Sequence, residues 1–125
     1  MHPDKFKQVM GLPSAGRHGY FVRKVADTQA VWGLHHDGWA TAQAHGKVAI
    51  PFWPEAAFAQ ACASGGWEHF QPRAIALDDF LTRWLPGMAG NGQLASVFPV
   101  PQGAGAIAAP GDLLRDLQHE SEQYE

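Results

Sequence analysis

The stretch VWGLHHDGWATAQAHGKVAIPFWP, residues 31–54, combines short runs of β-forming residues with strong turn signals. Residues 30–36 have the composition of a strand, and they are followed by Asp37 and Gly38, a dipeptide that strongly favours a turn. Because such a turn joins antiparallel strands, we predict a hairpin in which residues 39–45 return alongside residues 30–36. The remaining elements are assigned outward from this hairpin.

A second turn signal, at residues 45–47, leads into the continuous apolar run of residues 48–53. Such a run is typical of a strand that is covered on both faces. Pro51 has no N–H, so we expect this strand not to pair continuously on both of its sides. The other predicted strands are residues 73–77, 94–100 and 105–109, of which the last two form a second hairpin.

The segments before residue 30 have helical periodicity. Residues 3–12 show the single apolar stripe of a short helix. A second helix is predicted over about residues 15–27, with Ser14 as its N-cap. Its inward face is expected to contain Phe21, Val22 and Val25. Arg17 is expected to point away from the core.

Three further helices are predicted, over residues 54–63, 78–88 and 110–120. Asp78 is positioned to cap the second of these, and Pro86 followed by glycine is expected to close it. The third begins at Pro110, a residue type that suits the first position of a helix. It leads into an acidic C-terminal tail, residues 119–125.

Together these elements predict a single α+β domain over residues 1–125, with a mainly antiparallel sheet of roughly four to six strands and helices packed on one side. A chain of 125 residues is long enough for one hydrophobic core and too short for two of ordinary size. Its apolar content of 46% is that of a folded protein. We therefore expect no second domain.

The distribution of charge argues against a nucleic-acid partner. The net charge is −3, and residues 112–125 hold five acids and one arginine, so the rest of the chain is nearly neutral. A surface that grips phosphates presents clustered Lys and Arg. The nine basic residues here are scattered, apart from Arg23 and Lys24. We expect no nucleic-acid partner.

Membrane attachment and secretion are not predicted either. No apolar run approaches the roughly 20 residues that span a bilayer, and the first residues lack the apolar stretch of a signal peptide. Cys62 is the only cysteine and cannot form an internal disulfide, which agrees with a reducing compartment. We expect a cytoplasmic protein without a membrane partner.

Six segments of the chain form an ordered set: YFVRKVADTQAVWGL, DGWA, PFWPEAAFAQ, IALDDFLTRWLP, VFPVPQGAG and DLLRDL. In this order they resemble a bacterial family, the domain of unknown function family 2750 (DUF2750). The resemblance covers about residues 20–117, and the ordered set is more specific than any one of its pieces. It implies a small single-domain bacterial cytosolic protein. It brings no catalytic residues, because the family has no assigned activity.

The histidine-rich part of the opening stretch is the candidate metal or catalytic cluster, and it consists of His35, His36, Asp37 and His45. A zinc site needs three or four converging ligands. In a strand, His35 and Asp37 share a face while His36 points to the other. We therefore predict no metal and no cofactor here. The alternative that we retain is a small-molecule or metal-dependent enzyme that uses these four residues.

Other catalytic motifs are not predicted. Cys62 lies on the apolar face of a predicted helix near its C-terminus, where the helix dipole disfavours a thiolate. The four serines lie outside any GxSxG sequence. The glycine-rich residues 101–111 contain no lysine and lack the GK[ST] ending of a phosphate-binding loop. We predict no catalytic residues.

The chain contains five tryptophans, of which Trp39 and Trp67 follow glycines where the chain is expected to reach the surface. Tryptophan is used both in cores and at recognition surfaces. The predicted binding residues are Trp39, Trp67, His35 and Asp37. The function that we expect is a non-enzymatic protein-binding module, an adaptor or an immunity-type inhibitor, which recognises a protein partner.

Overall fold

Six strands in two sheets form the β part of the computed structural model, which describes residues 2–123. The strands are β1 (Ala30–His35), β2 (Ala42–Ala44), β3 (Lys47–Phe52), β4 (Gln71–Ala76), β5 (Leu94–Val97) and β6 (Ala106–Ala108). β1 and β4 pair antiparallel as a two-stranded sheet. The larger sheet has the order β2-β3-β5-β6, in which β3 and β5 run parallel and the two outer pairs run antiparallel.

Helices make up most of the remaining structure. They are α1 (Pro3–Met10), α2 (Ser14–Thr28), α3 (Ala56–Ala61), a 3₁₀ turn (Gly65–Trp67), α4 (Leu77–Asp79), a π turn (Phe80–Trp84), α5 (Leu85–Gly90) and α6 (Pro110–Glu122). The predicted α+β class is confirmed. α6 includes the first part of the predicted acidic tail at 119–125, whose residues 124 and 125 lie outside the described residues.

The predicted hairpin between residues 30–36 and 39–45 is wrong. β1 pairs with β4 along all six of its residues, and β2 pairs with β3. Val31 and Leu34 lie on opposite faces of β1, and both are buried. β4 has the same length as β1, six residues, whereas β2 has only three.

Turn geometry explains why β2 pairs with the strand that follows it. His45 and Gly46 both have positive φ, 53° and 74°, which is the backbone that the favoured two-residue hairpin turn requires. The bend at residues 36–38 supports only a single bridge, between His35 and Trp39. Asp37 and Gly38 also have positive φ, 54° and 138°, so the two turns differ in length: two residues separate Ala44 from Lys47, and three separate His35 from Trp39.

Pro51 limits strand pairing in the way that the sequence predicts. The β2–β3 pairing ends at Ala42 and Ala49, two residues before the proline. On its other side, Pro51 lies opposite Ser96 of β5. The parallel β3–β5 pair is joined by a long crossover that contains α3, β4, α4 and α5.

The helix predicted to close at Pro86 continues without a break to Gly90. The Leu85 N–H donates to the carbonyl of Phe80, five residues earlier, which defines the π turn. This turn directly precedes Pro86, which has no N–H for the usual helical bond. The predicted cap is also wrong, because Asp78 is already inside α4 and no side chain caps this helix.

Two predictions for α2 are wrong. Ser14 is the first helical residue, and no side chain caps the helix. Arg17, which was expected to point away from the core, is only 6% exposed. Its guanidinium donates to the backbone carbonyls of Leu12, Phe98 and Ala104, so three hydrogen bonds accompany its removal from solvent.

One hydrophobic core joins the two sheets and the helices. Phe98 is fully buried in it, with its ring centroid 6.1 Å from that of Tyr20 and 4.8 Å from that of Phe58. Its φ is 56°, a left-handed backbone that bulky residues rarely adopt. Its N–H donates to the Phe52 carbonyl at 2.8 Å, and its carbonyl accepts from Arg17 Nε at 2.9 Å. Hydrogen bonds thus hold both the peptide group before this strained residue and the peptide group after it.

Candidate functional site

Trp39 lies at the centre of a half-buried aromatic cluster. Its ring meets those of His35 and Trp84 edge to face, with centroid distances of 5.0 Å and 4.9 Å. The Arg73 guanidinium lies 5.7 Å from the centre of the indole, and its Nη1 is 3.3 Å from His35 Nε2. The structure therefore brings Trp39 and His35 together. Asp37 is exposed at the adjoining bend.

Trp67, the other tryptophan predicted to bind, lies in different surroundings. It ends the 3₁₀ turn and packs edge to face on Trp53, at a centroid distance of 6.3 Å. Within residues 2–123, no ring contact joins Trp67 to Trp39. The predicted binding residues are therefore divided between two places on the molecule.

The four residues of the alternative enzyme hypothesis are dispersed. The ring of His36 lies 6.2 Å from that of His69 and 5.7 Å from that of Phe70. His35 belongs to the aromatic cluster, and His45 lies at the β2–β3 turn. In the part of the chain that the structure describes, no group of three or more His, Cys, Asp or Glu is placed to hold a metal ion. The structure gives these residues no common centre.

Trp67 borders an apolar cavity of about 310 Å³ over the four-stranded sheet, which we call the Trp67 cavity. Its floor contains small side chains from three strands: Ala42 of β2, Ala49 of β3 and Ser96 of β5. Ile107 of β6 lies at its edge and is 37% exposed, which is unusual for a large hydrophobic side chain in this protein. The cavity therefore offers apolar surface that is accessible from solvent.

The strand register places small side chains on the face of the sheet that lines the cavity. Ala42 lies opposite Ala49, Pro51 lies opposite Ser96, and Ser96 lies opposite Ile107, so these side chains share one face of the sheet. Alanine and serine leave that face without bulk. Gly105 allows the chain before β6 to pack closely on β5, since a β-carbon there would lie 2.8 Å from Ser96 Oγ and 2.7 Å from the Val97 carbonyl oxygen. Small residues thus create the cavity.

Two buried side chains hold Pro99 in the wall of the cavity by hydrogen bonds to its carbonyl oxygen. The Pro99 carbonyl accepts a hydrogen bond from Trp53 Nε1 at 2.8 Å and one from Cys62 Sγ at 3.3 Å. Cys62 is buried, in agreement with its predicted place on an apolar helix face, and burial raises the pKa of its thiol. A protonated thiol is a poor nucleophile. The role of Cys62 at this site is therefore structural: its hydrogen bond helps to hold Pro99 in the cavity wall.

The cavity itself was not predicted from the sequence, although Trp67 was. The signal is a series of alanines at alternate positions, Ala40, Ala42 and Ala44, followed after the turn by Ala49. In a strand, alternate residues share a face, so this pattern leaves the face without large side chains. The contribution of Ser96 depends on the β3–β5 pairing, which is not local in the sequence.

Residues 18–117 of the 125-residue chain match the family described as "Protein of unknown function (DUF2750)". The chain belongs to the DUF2750 family. The matched part of this DUF2750 protein begins in α2 and ends in α6, and it contains both the aromatic cluster and the Trp67 cavity. No curated protein and no solved structure matches the chain. Among the described residues of this DUF2750 protein, no helix has the length and apolar character needed to cross a bilayer.

Proposed function

We propose that this DUF2750 protein is a non-enzymatic protein-binding module of the bacterial cytoplasm, and that its partner places an apolar side chain in the Trp67 cavity. The observation that carries the proposal is the cavity itself, with an indole on its wall and the exposed Ile107 at its edge. Its volume of about 310 Å³ is within the range of ligand-binding cavities. The free thiol of Cys62 fits a reducing compartment.

The chemistry of the lining favours binding over catalysis. Nucleophilic or acid–base catalysis needs a reacting group, a base in hydrogen-bond reach and a group that orients the base. The lining provides one hydroxyl, that of Ser96, and one imidazole, that of His45, but it includes no carboxylate. Most of the lining surface is apolar.

The position of β2 favours a protein segment as the occupant. β2 is at the end of the sheet, so one of its edges has no strand partner within residues 2–123. Extended peptides bind such edges by adding a strand. Every second side chain of an added segment would lie over the same face as Ala42 and Ala44, which line the cavity. Recognition of this kind would serve an adaptor or an immunity-type inhibitor.

Selection of peptides from a random library against the immobilised protein tests the proposal. Each selected peptide is then titrated against purified variants by fluorescence anisotropy. We expect peptides with a recurring aliphatic or aromatic residue, and a loss of affinity of about tenfold or more in Trp67→Ala, because tryptophan is enriched among binding hot spots. Ile107→Glu places a charge at the apolar edge and is expected to weaken the same peptides.

Trp39→Ala is the matched control, because it removes the same side chain from the aromatic cluster instead of the cavity. We expect it to change peptide affinity by less than about twofold. Circular dichroism confirms that each variant is folded. Peptides that bind Trp67→Ala as tightly as the unsubstituted protein would show that the cavity is not the binding site.

A further inference from the structure

Arg17 carries a buried charge without an acidic partner. Its Nε donates to the Phe98 carbonyl at 2.9 Å, its Nη1 to that of Leu12 at 2.6 Å and its Nη2 to that of Ala104 at 2.7 Å. All three acceptors are neutral. Among the residues that the structure describes, no salt bridge joins this guanidinium to a carboxylate. A charge removed from water in this way is costly unless it is paired.

The guanidinium also retains unused donors. Arginine has five N–H groups, and three of them donate to the carbonyls of Leu12, Phe98 and Ala104. One N–H on each terminal nitrogen therefore has no acceptor within residues 2–123. Carboxylate and phosphate oxygens are the acceptors that match a guanidinium best.

Arg17 lines a cavity of about 410 Å³ between the end of α1 and the loop that follows β5, which we call the Arg17 cavity. Lys7 of α1 and Gln102 of the loop line it too, and the lining includes no carboxylate. Gly103 borders the guanidinium, since a β-carbon there would lie 3.9 Å from Arg17 Nη2. Two basic residues and one amide thus line the cavity.

We propose that the Arg17 cavity binds an oxyanion, the carboxylate or phosphate group of a small molecule, between the Arg17 guanidinium and the Lys7 ammonium. Arg17 fixes the position of the anion, because three hydrogen bonds hold it in place. Lys7 supplies a second charge on a flexible stem. Met10 and Val100 give the cavity an apolar side for the carbon part of the ligand.

This site is independent of the proposed protein-binding function. A purely structural role explains the three hydrogen bonds of Arg17, but it leaves one N–H on each terminal nitrogen without an acceptor in the described residues. Lys5 and Lys7 of α1 are both exposed to solvent, but only Lys7 lines the cavity. Lys5 and Lys7 therefore form a matched pair on one helix, with the same charge and different positions relative to the Arg17 cavity.

Titration with inorganic phosphate at constant ionic strength, followed by the NMR signal of the Arg17 Nε–H, tests the proposal. We expect a saturable shift with a dissociation constant on the order of 1 mM, as for a small anion held by two charged groups. Chloride is expected to give no saturable shift. A second titration with acetate distinguishes the two sources: saturation by both anions assigns a general oxyanion site, and saturation by one alone identifies the preferred group.

Lys7→Gln is expected to weaken phosphate binding by about tenfold, whereas Lys5→Gln changes it by less than about twofold. Gln102→Leu provides a second variant that preserves both charges, and it is expected to weaken binding to a smaller extent. An Arg17 signal that does not respond to either anion would overturn the proposal. Equal losses in Lys7→Gln and Lys5→Gln would also overturn it, because the effect would then come from general surface charge.

Discussion

The indole of Trp39 lies directly on Gly33 of β1, so that a β-carbon at residue 33 would sit 2.8 Å from Cζ3 and 2.9 Å from Cε3 of the ring. The indole has little room to move, because it is packed against His35 and Trp84. Gly33→Ala is therefore expected to lower the free energy of unfolding by about 1–3 kcal/mol, the usual cost of overpacking. Urea unfolding followed by tryptophan fluorescence measures the change.

Gly87→Ala is the matched control for this substitution. Gly87 lies in α5, and a β-carbon there would meet nothing within 4 Å. Alanine at this position is expected to raise the free energy of unfolding by up to about 1 kcal/mol, because it favours the helix more than glycine does. A Gly33→Ala protein as stable as the unsubstituted one would contradict the close contact with Trp39.

Arg17→Met is expected to lower the free energy of unfolding by at least about 2 kcal/mol, because backbone carbonyls in the interior lose their donor. The substitution keeps a long side chain, so the lost hydrogen bonds dominate its effect. Arg23→Met removes an exposed arginine from the same helix and is expected to cost less than about 0.5 kcal/mol. Chemical unfolding measures the free energy of unfolding of both variants. An equal loss of stability in the two would argue that Arg17 does not hold together the segments that contain its three carbonyl acceptors.

The Tyr20 hydroxyl donates to Glu55 Oε1 at 2.7 Å. Burial, followed by this hydrogen bond to a carboxylate, raises the pKa of Tyr20 far above its ordinary value. Since the pKa is higher in the folded state, the stabilising contribution is complete below about pH 10 and is lost as the pH rises further. We expect stability to fall less steeply above this pH in Tyr20→Phe. Urea unfolding over a series of pH values measures both slopes, and identical slopes would refute the prediction.

The thiol of Cys62 is expected to react slowly while the protein is folded. Burial raises its pKa, and its Sγ is within 3.3 Å of the Pro99 carbonyl oxygen. A thiol-specific reagent is expected to modify it at least about tenfold more slowly in buffer than in concentrated urea, since the thiolate is the reactive form. Absorbance of the released chromophore gives both rates. Similar rates would mean that Cys62 is accessible in the folded state.

Local patterns are sufficient for elements that depend on neighbouring residues. The apolar stripe that includes Phe21 and Val25 predicts the buried face of α2, and Pro110 marks the beginning of α6. The partner of β1 is not determined in this way, because Ala30 pairs with Ala76 across a long stretch of chain. The sequence supplies the strands, whereas the pairing depends on which lengths and buried faces fit each other.

The candidate sites, too, contain some residues that the sequence identifies and others whose role depends on contacts distant in the chain. Trp67 can be recognised as a candidate from its residue type and its position after two glycines. The floor of its cavity, however, depends on the register between β3 and β5. Arg17 gives no sequence signal of burial, because two of its acceptors, the carbonyls of Phe98 and Ala104, are 81 and 87 residues away in the chain. Buried polar residues with distant partners require the tertiary structure.

At residue 98 the backbone conformation favours glycine, whereas the packing of the core favours a large aromatic side chain. Its left-handed backbone favours glycine, and a side chain there costs roughly 1–2 kcal/mol. Its ring fills the core between Tyr20 and Phe58, and loss of such a ring costs about 3–5 kcal/mol. The second effect is larger, so glycine would relax the backbone and still weaken the protein. Any route to a more stable variant at this position must redesign the loop conformation and the surrounding packing in one step.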